Sequence, residues 1–259
     1  MSNFNESKMK RYIKEGRGQG TGKDYKPWVE ISDYSSMGRA SRVLGKSGRI
    51  HHLQSDNQLR AFLFFEFLDD VIDIRESYPL LDVMEVIDDK EGLRFDKFCN
   101  KEGEQLVICT NFLLTVKEPD GREKLVARTV KNTTELIKKI TLEKLEIERR
   151  YWSAKNIDWK IITEKQLPKQ VCKNIEWVRE TLLEDSVVDK KSLSQMLLTY
   201  LLNNMEIPLK ELLKAFDKSE DVATGTALYF FRYLIAKKEI KVNMKEKINV
   251  ALKVKDILL

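Results

Sequence analysis

Leu106-Val107-Ile108-Cys109-Thr110-Asn111-Phe112-Leu113-Leu114, then Glu118-Pro119-Asp120-Gly121, then Lys124-Leu125-Val126-Ala127-Arg128-Thr129-Val130 is the stretch that decides the fold. Two runs rich in β-formers, joined by a Pro-Asp-Gly turn, read as a hairpin. Upstream, residues 55–68 place Leu59, Phe62, Leu63 and Phe67 at helical spacing behind Ser55 or Asp56 as N-cap, and residues 71–74 form a short strand. Downstream, residues 134–152 make a long charged helix and residues 159–163 a further strand. Strand, hairpin, helix and strand together predict a mixed α/β core.

Beyond residue 189 the pattern turns helical. Residues 192–202, 208–216 and 222–237 read as three helices, with Pro208 suited to a first helical turn. Residues 240–244 and 248–252 look like a small hairpin, so the tail is expected to be a winged-helix-like domain. The organisation expected is a basic Gly-rich extension of the α/β domain over 1–50, the core of that domain over 51–185 and a winged-helix-like, partner-binding domain over 186–259.

With 259 residues, 42% hydrophobic and 34% charged, the chain suits one large or two modest globular domains. No apolar run nears the roughly 18–20 residues of a membrane span. The first residues lack the basic-then-apolar layout of a secretory signal, so a cytoplasmic location without membrane contact is expected. Cys99, Cys109 and Cys172 match neither a disulfide framework nor a zinc motif.

The net charge of +5 is unevenly spread: residues 1–60 carry +6 and the remainder −1. Residues 1–50 also hold seven of the eleven glycines, in loops at 15–24 and 38–49. Glycine lets a backbone approach phosphate closely. Arg17, Lys23, Arg39, Arg42, Lys46 and Arg49 are therefore the candidate DNA-backbone contacts; each taken singly reads as a solvated charge. A nucleotide-binding loop is rejected. Arg17 and Asp24 break the Walker pattern around Gly22-Lys23, and Thr21 stands where a dinucleotide fingerprint needs its third glycine. His51 and His52 are adjacent, a poor metal pair, and read better as a polar turn or phosphate contact.

A spread constellation remains: Gln58 early on the first core helix, Asn111 on one hairpin strand, and Thr129 and Lys131 two apart on the other. A metal nuclease of the restriction-enzyme fold needs this layout. Acidic groups from a helix and a strand hold magnesium, and a strand lysine faces the scissile phosphate. Here the two acidic positions are amides.

The chain resembles the TnsA endonucleases of Tn-seven-type transposons over nearly its whole length. The resemblance is carried by residues 13–20 and 24–25, Pro27-Trp28, His51-His52-Leu53, Ser55-Asp56, Asp73-Ile74-Arg75-Glu76, Thr110, Phe112, Val130-Lys131, residues 142–152 and Asn174-Ile175-Glu176-Trp177. It implies a restriction-endonuclease-like core followed by a winged helix. The implied activity is Mg²⁺-dependent cleavage (Mn²⁺ as substitute) at the 5′ ends of the transposon. The implied partners are double-stranded DNA at the transposon ends, a TnsB-type transposase and a TnsC-type ATPase. The family's catalytic glutamate falls on Gln58, its strand aspartate on Asn111 and its lysine on Lys131; its strand glutamine falls on Thr129, a departure. The implied metal set is Gln58, Asn111, Thr129 and Val130.

Magnesium is a hard cation usually held through one or two carboxylates. Two amides leave only carbonyl dipoles, so a catalytically inactive form is expected. A drifted natural pseudo-nuclease bridging transposase and ATPase would have this sequence, as would a deliberately inactivated one. The pair of same-shaped amides favours deliberate replacement. A free-standing restriction-type nuclease is the further alternative, which the helical tail disfavours. Glu66, Asp69, Asp70 and Asp73 read as a solvated helix end and turn, Glu76 as either an active-site neighbour or a strand-end ion-pair partner, and Glu148 or Arg149 as a charged helix face or support for the site.

Overall fold

The computed structural model describes residues 6–33, 39–99, 103, 105–183 and 190–259. Two compact units divide between Leu167 and Pro168. In the first, α1 (Glu6–Lys14) and a Gly-rich loop precede a two-stranded antiparallel ribbon, β1 (Ser41–Leu44) and β2 (Ile50–Leu53). There follow α2 (Asp56–Phe67), β3 (Val71–Pro79), the short α3 (Val83–Val86), β4 (Cys109–Lys117), β5 (Glu123–Val130), α4 (Lys139–Ala154) and β6 (Asp158–Ile162).

The expected hairpin is the middle of a four-stranded sheet of order β3-β4-β5-β6, antiparallel except for the parallel β5–β6 pair. Alternation along the strands assigns its two faces. Leu113 and its cross-strand partner Ala127 join Ile147, Tyr151 and Trp152 of α4 in one cluster. Phe112, one residue earlier, meets Phe65 of α2 edge-on with ring centroids 5.5 Å apart. The sheet is thus layered between α2 and α4, and the α/β expectation holds.

The second unit is helical: α5 (Lys169–Leu183), α6 (Lys190–Asn203), α7 (Leu209–Ser219) and α8 (Thr226–Ala236). Its centre is α8, whose Ala227, Phe230, Phe231, Leu234 and Ile235 are all buried. The Asp217 carboxylate accepts hydrogen bonds from Gly225 N and Ala227 N at 2.7 Å each, fastening α7 to the start of α8.

Several expectations change. The helix expected from residue 134 starts at Lys139, after a 3₁₀ turn at Thr133–Glu135. Pro208 is the N-cap of α7, not its first helical residue. The boundary expected at 185/186 lies outside the described residues. The units part earlier instead, because α5 packs on α8. The boundary at 50/51 falls at the start of β2, which pairs with β1, and residues 1–50 belong to the first unit. The hairpin of 240–244 with 248–252 does not form. Asn243 and Asn249 each turn the chain locally through their side-chain oxygens, to Lys245 N and Ala251 N at 3.1 Å each. The first segment bridges instead to the chain end, Val242 with Leu258, and the second meets the start of α7, its Val250 and Leu252 carbonyls accepting from Lys210 N and Leu209 N.

Candidate functional site

Gln58 stands in the first turn of α2. Ser55 caps that helix by accepting from Gln58 N, and the Gln58 Oε1 atom accepts from Gln54 N at 2.9 Å. The reciprocal pattern resembles a capping box displaced by one residue. It fixes the amide: since a backbone N–H only donates, the atom facing it is oxygen. Two residues along α2, Arg60 donates to the Leu167 carbonyl at 3.4 Å, just beyond β6. Gln58 is therefore at the end of the sheet where β5 and β6 finish.

Asn111 is at that end too. The β4–β5 ladder pairs Phe112 with Arg128, and one step further the Asn111 side chain takes over, its Oδ1 accepting from Val130 N at 2.8 Å. Lys131 follows directly, its N–H bonded to the Ile162 carbonyl and its ammonium 3.7 Å from Glu135 Oε1. Glu135 is held by the turn it closes, accepting from Asn132 N at 2.9 Å. The structure thus gathers Asn111, Val130 and Lys131, with Gln58 at the same sheet end.

Thr129 lies elsewhere, buried against α4. Its hydroxyl donates to Glu148 Oε2 at 2.5 Å and accepts from Trp159 Nε1 at 3.0 Å. Thr110 is its counterpart, donating to the same Glu148 oxygen at 2.9 Å and accepting from Trp152 Nε1 at 2.8 Å. Lys144 approaches the other carboxylate oxygen at 3.5 Å. Lys144, Glu148 and Trp152 recur every four residues on one helical face, the spacing that carries this network. Glu148 is fully buried, so the charged-face reading fails for it but holds for Arg149, which pairs with Glu146 at 2.7 Å. With its hydroxyl committed on both sides, the Thr129 side chain is not placed to ligate beside Asn111.

The basic loops divide. Arg17 is 9% exposed: it stacks on Tyr12 with the guanidinium 3.6 Å from the ring centroid, pairs with Asp33 at 2.6 Å and donates to the Trp28 carbonyl. Arg49 is 8% exposed and forks onto Glu76 at 2.7 and 2.8 Å. Both are structural and neither can reach DNA as the loop reading expected. Lys23, Arg39, Arg42 and Lys46 remain exposed, though Arg39 is 3.8 Å from Asp56 and Lys46 Nζ donates to the Glu66 carbonyl. Gly38 lies outside the described residues. The first loop is a packing device. A Cβ on Gly18, at φ +77°, would fall 2.4 Å from Pro79 Cγ.

Sequence reasoning missed the cluster that Arg49 completes. Glu76 also receives His52 N at 3.1 Å and lies 2.9 Å from His51 Nδ1. Burial pushes its carboxyl up, yet the hydrogen bonds and charges of His51 and Arg49 outweigh that and hold it at about 2. The signal available was Arg49 and His51 two apart beside a strand start, hence on one face. Glu66 and Asp73 are likewise not simply solvated: Glu66 Oε1 accepts from Lys46 N and Asp73 Oδ1 from Gly22 N.

A sheet that carries Asn111 near the start of β4 and Lys131 just past the end of β5, flanked by α2 and followed in sequence by a helical unit, defines a class that family comparison makes specific. The model for the TnsA-like endonuclease N terminal matches residues 68–164, and that for the TnsA endonuclease C terminal matches residues 166–244. The chain is also 38% identical, over 246 residues, to the transposon Tn7 transposition protein TnsA of Escherichia coli, covering 94% of this chain and 88% of that protein. It belongs to the TnsA family of transposition endonucleases. No helix among the described residues is long and apolar enough to cross a membrane.

Magnesium does not fit the residues present. Gln58 and Asn111 supply no negative charge, and each turns its oxygen to a backbone N–H. Among the described residues no group of three or more His, Cys, Asp or Glu is arranged to hold a metal. A hard, strongly hydrated cation is not captured by two committed carbonyl dipoles and a threonine hydroxyl already in use.

Proposed function

We propose that this chain takes the place of the 5′-end-cutting endonuclease in a heteromeric transposase, with a restriction-endonuclease-like core, and holds transposon-end DNA without cleaving it. The observation that carries this reading is the state of the two amides. In an active site of this class, carboxylates would hold Mg²⁺ (or Mn²⁺), activating water and steadying the charge that builds on phosphorus. Gln58 and Asn111 keep the shape of those carboxylates and lack their charge. Lys131, the third group of the site, is retained.

Lys23, Arg39, Arg42 and Lys46 are the DNA-backbone contacts in this reading. The helical unit from residue 168 onward is the surface for a TnsC-type ATPase, and a TnsB-type transposase cuts the other strand alongside. Whether the amides arose by drift or by replacement, the physical consequence is the same.

The test is strand cleavage at transposon ends with the partner transposase and ATPase present. The unchanged chain is expected to leave the 5′ strands intact in Mg²⁺ or Mn²⁺. The double variant Gln58→Glu, Asn111→Asp should cut them, each single variant far less, and Lys131→Ala in the double background should abolish the cut. Cleavage by the unchanged chain would overturn the reading. A silent double variant that still assembles on the ends would make the chain a true pseudo-nuclease, with Thr129 as the remaining departure.

A further inference from the structure

We infer that the amide site has reversed its polarity: where a metal nuclease presents acceptors to a cation, this chain presents donors to a DNA phosphate, with no metal between them. The inference rests on the reading of the chain as a non-cutting, DNA-holding subunit and deepens it.

Both amides have a fixed orientation. A carboxylate has two acceptor oxygens, so one can bond the backbone while the other faces a metal. A carboxamide has one oxygen and one NH₂. In both Gln58 and Asn111 the backbone takes the oxygen, through Gln54 N at 2.9 Å and Val130 N at 2.8 Å. The opposite end of each amide is then a donor pair. Among the described residues neither NH₂ meets a protein acceptor, and both residues are half-buried, open to an incoming ligand.

Lys131 adds the charge. Its side chain is 20% exposed and directly follows Val130, the residue whose N–H sets the Asn111 amide. The adjacent anion, Glu135, has one oxygen committed to Asn132 N and keeps the other 3.7 Å from the ammonium, a distance at which a bound phosphate can compete. Glu148 is walled off behind Thr110 and Thr129 and pairs with Lys144. Two NH₂ groups and one ammonium at one end of a sheet suit a tetrahedral oxyanion, not a cation. The phosphodiester of duplex DNA is the ligand this chemistry recognises.

The isosteric acids give a clean test, because a carboxylate at 58 or 111 still accepts from the same backbone N–H and the local fold is kept. The full chain is titrated with a short transposon-end duplex, by fluorescence anisotropy at matched ionic strength, in EDTA and in Mg²⁺. The unchanged chain should bind equally in both. In EDTA, Asn111→Asp should weaken binding about tenfold, the scale of one charge-assisted hydrogen bond replaced by repulsion. Mg²⁺ should restore affinity to the Gln58→Glu, Asn111→Asp variant and not alter the parent. The side-chain NH₂ resonance of Asn111 should shift on adding the duplex, and far less in Lys131→Ala; inorganic phosphate alone should shift it weakly. Equal metal-free affinity of Asn111→Asp and the parent, or a parent affinity that rises with Mg²⁺, would overturn the inference. These outcomes leave the non-cutting reading standing, whereas cleavage by the unchanged chain would end both.

Discussion

Two polar clusters in the sheet-bearing unit solve opposite problems. The Arg49–His51–Glu76 cluster is buried, ion-paired and closed: both Glu76 oxygens accept donors, and the Arg49 guanidinium also bonds the Ile74 carbonyl. Gln58, Asn111 and Lys131 are half-buried, carry one charge among them and, among the described residues, leave both amide NH₂ groups without a protein acceptor. Charge is concentrated in the cluster that the fold depends on and is absent from the two amides. Paired burial makes a charged group a structural fixture, since the partner cannot be removed without stranding an ion in the interior.

The largest effect is expected at the closed cluster. Arg49→Met strands the Glu76 carboxylate and should cost about 3–5 kcal/mol, read by urea denaturation. Asn111→Asp, which keeps its backbone bond, should stay within about 1 kcal/mol. Equal losses for the two would erase the distinction between a structural and a ligand-facing cluster.

A smaller loss is expected where the glycine loop meets β3. Gly18→Ala should destabilise by about 1–3 kcal/mol, because φ is +77° and the new methyl meets Pro79. Replacing Gly22, at φ +54° with nothing within contact distance of a new Cβ, should cost less in the same denaturation series.

Acid titration separates the two clusters further. The Glu76 carboxyl is held at about 2 in the folded chain against an ordinary 4.5, so its contribution is complete above about 4.5 and fades as pH falls toward 2. Glu76→Gln should therefore show a shallower loss of stability across that window than the parent. Parallel curves would mean that Glu76 makes no such contribution.

The smallest effect concerns the basic loops. Replacing Lys23, Arg39 and Arg42 by Ala should flatten the dependence of log K on log salt by about 2–3, near 0.9 for each phosphate no longer neutralised. Arg17→Ala should leave that slope unchanged while lowering the denaturation midpoint, because Arg17 is spent on Asp33, Trp28 and Tyr12.

Local periodicity and turn chemistry were enough to specify the hairpin, the helix and strand after it and the helical tail. Strand alternation is local too, and together with the family resemblance it nominates Gln58, Asn111 and Lys131 as the proposed site. Which polar groups would be used up was not legible in the chain order. Arg17 and Lys23 sit in one Gly-rich loop and read alike, yet one is buried against Asp33 and the other is exposed. Thr129 and Lys131 share a face by counting residues, but β5 ends at Val130 and Thr129 turns its hydroxyl to Glu148 of α4. The expected tail hairpin pairs in another register, Val242 with Leu258 instead of 240–244 with 248–252, while Asn243 and Asn249 turn the intervening chain locally. The orientation of both site amides was invisible as well, being set by the N–H groups of Gln54 and Val130 that only the folded backbone brings to them. Which donor or acceptor each polar side chain meets, Asp33 for Arg17, Glu148 for Thr129 and Val130 N for Asn111, is a property of the tertiary structure, and it decided which candidate residues keep a polar atom uncommitted.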